Sequence, residues 1–81
     1  MLTYNMIEET PQKVVYEYFP EGITEVGIIS FDKETKMNSI VTPSSKDKYQ
    51  LYAQKLFSRI REFSNSNSFK KTGMIAWYST I

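Results

Sequence analysis

Short runs rich in β-branched and aromatic residues fill the first half of the chain, and one long amphipathic stretch follows them. Val14-Val15-Tyr16-Glu17-Tyr18-Phe19, Val26-Gly27-Ile28-Ile29-Ser30-Phe31 and Met37-Asn38-Ser39-Ile40-Val41-Thr42 each read as a strand with apolar side chains on both sides. A single helix can cover one side of such a sheet, so the pattern raises the question of what covers the other. The opening run from Leu2 to Glu9 alternates loosely and reads as a further strand, ended by Thr10-Pro11-Gln12, where Pro11 removes an amide donor and holds Thr10 extended.

Residues 13–19 form the next predicted strand. Phe19-Pro20-Glu21-Gly22 matches a type I turn, with Pro second and Gly fourth. Residues 23–31 follow as a strand, Asp32-Lys33-Glu34-Thr35-Lys36 as a polar hairpin loop, and residues 37–42 as the fourth strand, closed by Pro43. Taking these loops at two and five residues assigns faces. Val14, Tyr16, Tyr18, Ile23, Glu25, Gly27, Ile29, Phe31, Met37, Ser39 and Val41 share the richer side, expected under the helix. Val15, Glu17, Phe19, Val26, Ile28, Ser30, Asn38, Ile40 and Thr42 share the other. Changing either loop by one residue would swap the faces beyond it.

For the helix, Ser44 is the expected N-cap, and Asp47 completes an approximate capping box. Tyr49, Tyr52, Ala53, Leu56, Ile60 and Phe63 recur at helical spacing, with Leu51 nearly opposite. Residues 45–63 would span roughly 28 Å. Ser64-Asn65-Ser66-Asn67-Ser68 is the expected breaker. The apolar tail Met74-Ile75-Ala76-Trp77-Tyr78-Ser79-Thr80-Ile81 reads as an extended segment docking on the sheet edge or the second face, with Trp77 as the plug. The fold expected is thus α+β, one domain over residues 1–81. An antiparallel meander of three to four strands packs on one long helix, and a C-terminal extended segment follows.

Composition refines this picture. A chain of 81 residues buries only about 60% of the surface its unfolded form exposes, so a few core contacts decide stability. Six Tyr and five Phe supply much of that burial. The absence of Cys and His removes disulfides, thiolate zinc sites, the commonest general base and the commonest metal ligand. No hydrophobic run reaches a membrane-spanning length, and residues 1–9 lack the pattern of a signal peptide, so a cytoplasmic protein is expected.

The net charge of +1 hides an asymmetry. Residues 1–42 hold three lysines against seven carboxylates, a net −4; residues 43–81 hold seven cations against two carboxylates, a net +5. An acidic sheet attracting a basic helix within one fold is the simpler explanation. A basic surface for nucleic acid or an acidic partner is the functional one.

Four segments carry a resemblance: Val14-Val15-Tyr16-Glu17-Tyr18-Phe19-Pro20-Glu21-Gly22, Gly27-Ile28-Ile29-Ser30-Phe31-Asp32-Lys33, Tyr52-Ala53 and the closing Gly73-Met74-Ile75-Ala76-Trp77-Tyr78. With them the chain resembles a family of small bacterial proteins of uncharacterised function, over nearly its whole length. The Gly-Met-Ile-Ala-Trp-Tyr ending is the most specific part. Some members have a histidine two residues after the Tyr-Ala pair, where this chain has Lys55. Any role resting on that histidine does not carry over. The resemblance implies a single cytoplasmic domain and supplies no activity, cofactor or site.

No metal constellation, phosphate-binding glycine loop or nucleophile–base pair is visible in the sequence. Gly22 serves a turn, Gly27 a bulge or close packing on an aromatic, and Gly73 a bend. No residues take the roles that a catalytic site requires, and no cofactor or metal is expected. The first functional expectation is therefore a non-catalytic protein-interaction or regulatory module. Its partner is a protein or a second copy of the chain, contacted through Val15, Phe19, Ile28, Ile40 and Leu51. The alternative is a nucleic-acid-binding protein using Lys48, Lys55, Arg59, Lys70 and Lys71, with strand aromatics stacking on bases.

Overall fold

The computed structural model describes residues 2–20, 25–45, 47 and 50–75. They form β1 (Leu2–Glu9), β2 (Lys13–Pro20), β3 (Gly27–Asp32), β4 (Asn38–Thr42), α1 (Leu51–Ser66) and β5 (Thr72–Ile75). The fold is α+β, as the hydrophobic pattern predicts, but the sheet has five strands rather than three or four. All neighbours are antiparallel in the order β4-β3-β2-β1-β5. The first four strands are a meander. The fifth comes from the tail, which pairs Leu2 with Ile75 and Tyr4 with Gly73 at the free side of β1. Docking on the sheet edge therefore holds for residues 72–75, while Trp77 and the rest of residues 76–81 lie outside the described residues.

The helix links the two edge strands. Its 16 residues cover about 24 Å, enough to cross the roughly 19 Å between the outer strands of a five-stranded sheet. Ala53, Leu56, Ile60 and Phe63 of the predicted stripe are buried, Tyr52 is partly buried beside them, and Tyr49 lies outside the described residues. The buried side chains pack with Leu2, Tyr4, Val14, Tyr16, Tyr18, Ile29, Phe31 and Ile75 into one core, flanked by Met6, Ile40, Tyr52, Phe57 and Phe69.

Both helix ends differ from expectation. The helix begins at Leu51, not residue 45, after the turns Asp47 N–H to Ser44 C=O (3.1 Å) and Gln50 N–H to Asp47 C=O (2.9 Å). Ser44 is not the cap; its buried hydroxyl donates to the Glu25 carbonyl at 2.6 Å. Gln50 occupies the cap position in a left-handed conformation and makes no side-chain cap. Asp47 does that work from a distance, accepting Tyr52 N–H on Oδ1 and Ala53 N–H on Oδ2, each at 3.0 Å. At the far end the helix runs through Ser64, Asn65 and Ser66 to left-handed Asn67, at φ 54°. The N–H groups of Asn67 and Ser68 satisfy the Ser64 and Phe63 carbonyls.

The β3–β4 hairpin corrects the predicted faces of β4. Phe31 pairs with Asn38, not Met37, and Ile29 pairs with Ile40. Ile40 therefore lies under the helix, whereas Met37 and Val41, assigned there by the sequence, are exposed. Ser39 faces away with its partner Ser30. The cause is an even number of residues between the paired positions where the sequence reading placed an odd one. Asp32 N–H bonds to the Met37 carbonyl, and the Asp32 carboxylate closes the loop on the Glu34 and Thr35 amides. β3 also starts later than predicted, at Gly27 rather than residue 23; Phe19 and Pro20 of the predicted turn belong to β2, and residues 21–24 lie outside the described residues.

Two glycines are fixed by rings rather than by bends. Gly27 stands opposite Tyr18 and Gly73 opposite Tyr4, and in each case the tyrosine ring fills the space a Cβ would need.

Candidate functional site

Three regions combine chemistry with access. The first is the outer face of the sheet, on the side opposite the helix. Alternation and register place Thr3, Asn5 and Ile7 of β1 there, with Lys13, Val15, Glu17 and Phe19 of β2, Ile28 and Ser30 of β3, Ser39 and Thr42 of β4, and Thr72 and Met74 of β5. Across it runs a polar row. Thr72 Oγ1 donates to Asn5 Oδ1 at 2.8 Å, and Asn5 Nδ2 donates to Glu17 Oε1 at 3.3 Å. Val15 and Phe19 flank Glu17 along β2, and Ile28 stands opposite it on β3. Met74 (56% exposed) and Ile7 (49%) extend the apolar area, while the ring row of the inner face is almost wholly shielded. Glu8, Glu17 and Asp32 face outward with Lys13 as the one cation among the paired positions, so this side is acidic.

Of the residues proposed from sequence, Val15, Phe19 and Ile28 come together on this face. Val15 is itself 8% exposed, so it supports the patch more than it presents it. Ile40 does not join them, because it belongs to the inner face. Leu51 is exposed at the start of the helix, on the other side of the sheet.

The second region is the basic flank of the helix. Lys55 and Arg59 lie one turn apart, and Arg59 pairs with Glu62 at 4.0 Å. Arg59 also reaches the β1–β5 side, where its charge opposes the upward push that burial gives the Tyr4 phenol. Lys70 and Lys71 are exposed immediately before β5, and their carbonyls accept the Tyr16 hydroxyl and Met6 N–H, both at 2.6 Å. Lys48 lies outside the described residues. The strand aromatics Tyr4, Tyr16, Tyr18 and Phe31 belong to the core. Among the described residues Phe19 is the one strand ring on the outer face, across the sheet from these cations.

The third region was invisible in the sequence. Phe31, Lys36, Arg61, Ser64 and Asn65 line a cavity of about 200 Å³ between the Asp32–Met37 loop and the end of α1. Lys36 belongs to the predicted polar hairpin loop, Arg61 to the predicted helix, and Ser64 and Asn65 to the predicted breaker. Their convergence depends on the helix continuing to Ser66, and no local signal announced it.

Burial governs the titratable groups of the core. The Tyr16 phenol is pushed far above its ordinary value by desolvation, with smaller contributions from Tyr4 and Glu9. Burial also raises the Tyr18 phenol, which donates to Asp47 Oδ2 at 3.3 Å. Among the described residues no group of three or more acidic side chains could hold a metal ion, and no helix is long and apolar enough to cross a membrane. Comparisons with protein-family models, curated proteins and solved structures gave no match.

Proposed function

We propose that this protein is a non-catalytic, cytoplasmic interaction module whose outer sheet face binds a protein segment carrying basic residues beside apolar anchors. The observation that carries this reading is the arrangement around Glu17. A carboxylate fixed by Asn5 stands among Val15, Phe19 and Ile28, with Met74 and Ile7 exposed on the same face. Apolar side chains around a positioned charge give affinity and register together. The acidity of the face selects a basic partner and opposes face-to-face pairing of two copies, which would bring like charges together. The resemblance to small bacterial proteins adds no activity to this reading.

The test is an NMR titration with an extended peptide of alternating Lys and Ile, run against its Glu-for-Lys counterpart. Shifts at Thr3, Glu17, Phe19, Ile28 and Met74 with the basic peptide alone, weakened about tenfold in folded Glu17→Lys, support the proposal. No shifts, or shifts confined to the helix, overturn it. Sedimentation showing self-association that Phe19→Glu abolishes would replace the basic partner by a second copy.

A second reading, nucleic-acid binding, rests on the grouping of Arg59 with Lys70 and Lys71 toward the β1–β5 side. Affinity for a mixed oligonucleotide that falls steeply with salt and is lost in Lys70→Gln/Lys71→Gln would favour it. Separation of those cations from the accessible Phe19 ring supports the first reading over it.

A further inference from the structure

We infer that the cavity between the Asp32–Met37 loop and the end of α1 binds a small organic oxyanion, a carboxylate or phosphate ester with a short apolar part. Its cations are placed there at a cost. Lys36 adopts φ 63°, a left-handed conformation that hairpins usually give to Gly or Asn. The ammonium group that this conformation carries lies 2.8 Å from Ser64 Oγ. Arg61 has neither a hydrogen bond nor an ion pair among the described residues, since the neighbouring Glu62 turns to Arg59.

No carboxylate lines the cavity to neutralise this pair. Asp32 is committed to the Glu34 and Thr35 amides, and Glu9 is held by Lys33 at 3.0 Å. The helix terminus would ordinarily repel an anion, because its last carbonyls carry partial negative charge. Here the Phe63 and Ser64 carbonyls accept the Ser68 and Asn67 N–H groups, and the Ser66 hydroxyl bonds to Glu62 and Phe63. Two of the last four helix carbonyls are thereby satisfied, which weakens that repulsion.

The remaining lining suits an organic anion over a bare ion. Ser64 and Asn65 add hydrogen-bond donors, and the aliphatic stems of Lys36 and Arg61 supply apolar wall above the fully buried Phe31. A volume of about 200 Å³ lies below the roughly 300–1,000 Å³ of drug-sized pockets, so the ligand is small.

The experiment titrates the full chain with sodium phosphate, acetate and benzoate, each against sodium chloride at matched ionic strength, and follows backbone amide shifts. Saturable shifts at Thr35, Lys36, Ser64 and Asn65 are expected with an oxyanion and absent with chloride. A preference for phosphate assigns an ester, and a preference for benzoate over acetate assigns an apolar carboxylate. Arg61→Gln and Lys36→Gln, both at exposed positions, should each weaken binding about tenfold while the remaining spectrum stays unchanged. Shifts that chloride reproduces, that never saturate, or that survive both substitutions overturn the inference.

Discussion

Asp47 ties the helix to the sheet through one buried carboxylate. It accepts two amides of the first helical turn and the Tyr18 hydroxyl of the sheet. Asp47→Ala strands two helix N–H groups and a phenol in a dry environment, and should cost about 2–3 kcal/mol by chemical denaturation. Asp47→Asn keeps one acceptor and should cost less. Tyr16 gives the fold a pH limit. Its phenol is held neutral in the folded state, above the ordinary value of 10.0 at which it ionises when unfolded. Stability from this group is fully present below about pH 10, and is lost as pH rises through the folded value. Tyr16→Phe removes the bond to the Lys70 carbonyl and should lower stability by roughly 1 kcal/mol near neutrality. It should also flatten the decline that sets in above about pH 10 in urea titrations. Gly27 is equally sensitive, because any side chain there displaces the Tyr18 ring.

At the level of elements, the helix holds the core through a narrow stripe. Leu56→Ala or Ile60→Ala should each cost about 2–5 kcal/mol, read as a drop in melting temperature. This stripe, the alternation of β2 and β3 and the existence of β1 were legible, because each depends on spacing within a continuous segment. The faces of β4 were not. They depend on one pairing, Phe31 with Asn38, and a change of a single loop residue inverts everything after it. The helix start was misread for a related reason. Ser44 and Asp47 are both good capping types, and only the two intervening turns show that Asp47 reaches Tyr52 and Ala53 while Ser44 faces Glu25. The cavity at Lys36 and Arg61 was out of reach, since its residues meet only once hairpin and helix end are both in place.

Taken whole, the molecule presents unlike charge on opposite sides. Glu8, Glu17 and Asp32 face outward from the sheet, and Lys55, Arg59 and Arg61 stand on the helix. Among the described residues Lys13 pairs with Glu8 within the sheet, Lys33 of the hairpin loop with Glu9 of β1, and Arg59 with Glu62 within the helix. Much of the asymmetry seen in the sequence is thus carried to the surface. Binding through the sheet face and through the helix face should accordingly respond to opposite charge substitutions, Glu17→Lys weakening the first and Arg59→Glu the second.

The pairing of Leu2 with Ile75 sets a timetable for a chain made from its first residue onward. Until residues 72–75 leave the ribosome, β1 holds an open ladder beside Leu2 and Tyr4, a template for stray strands. A chain truncated after Lys71 should capture added strands at this edge and aggregate, whereas the full chain should not.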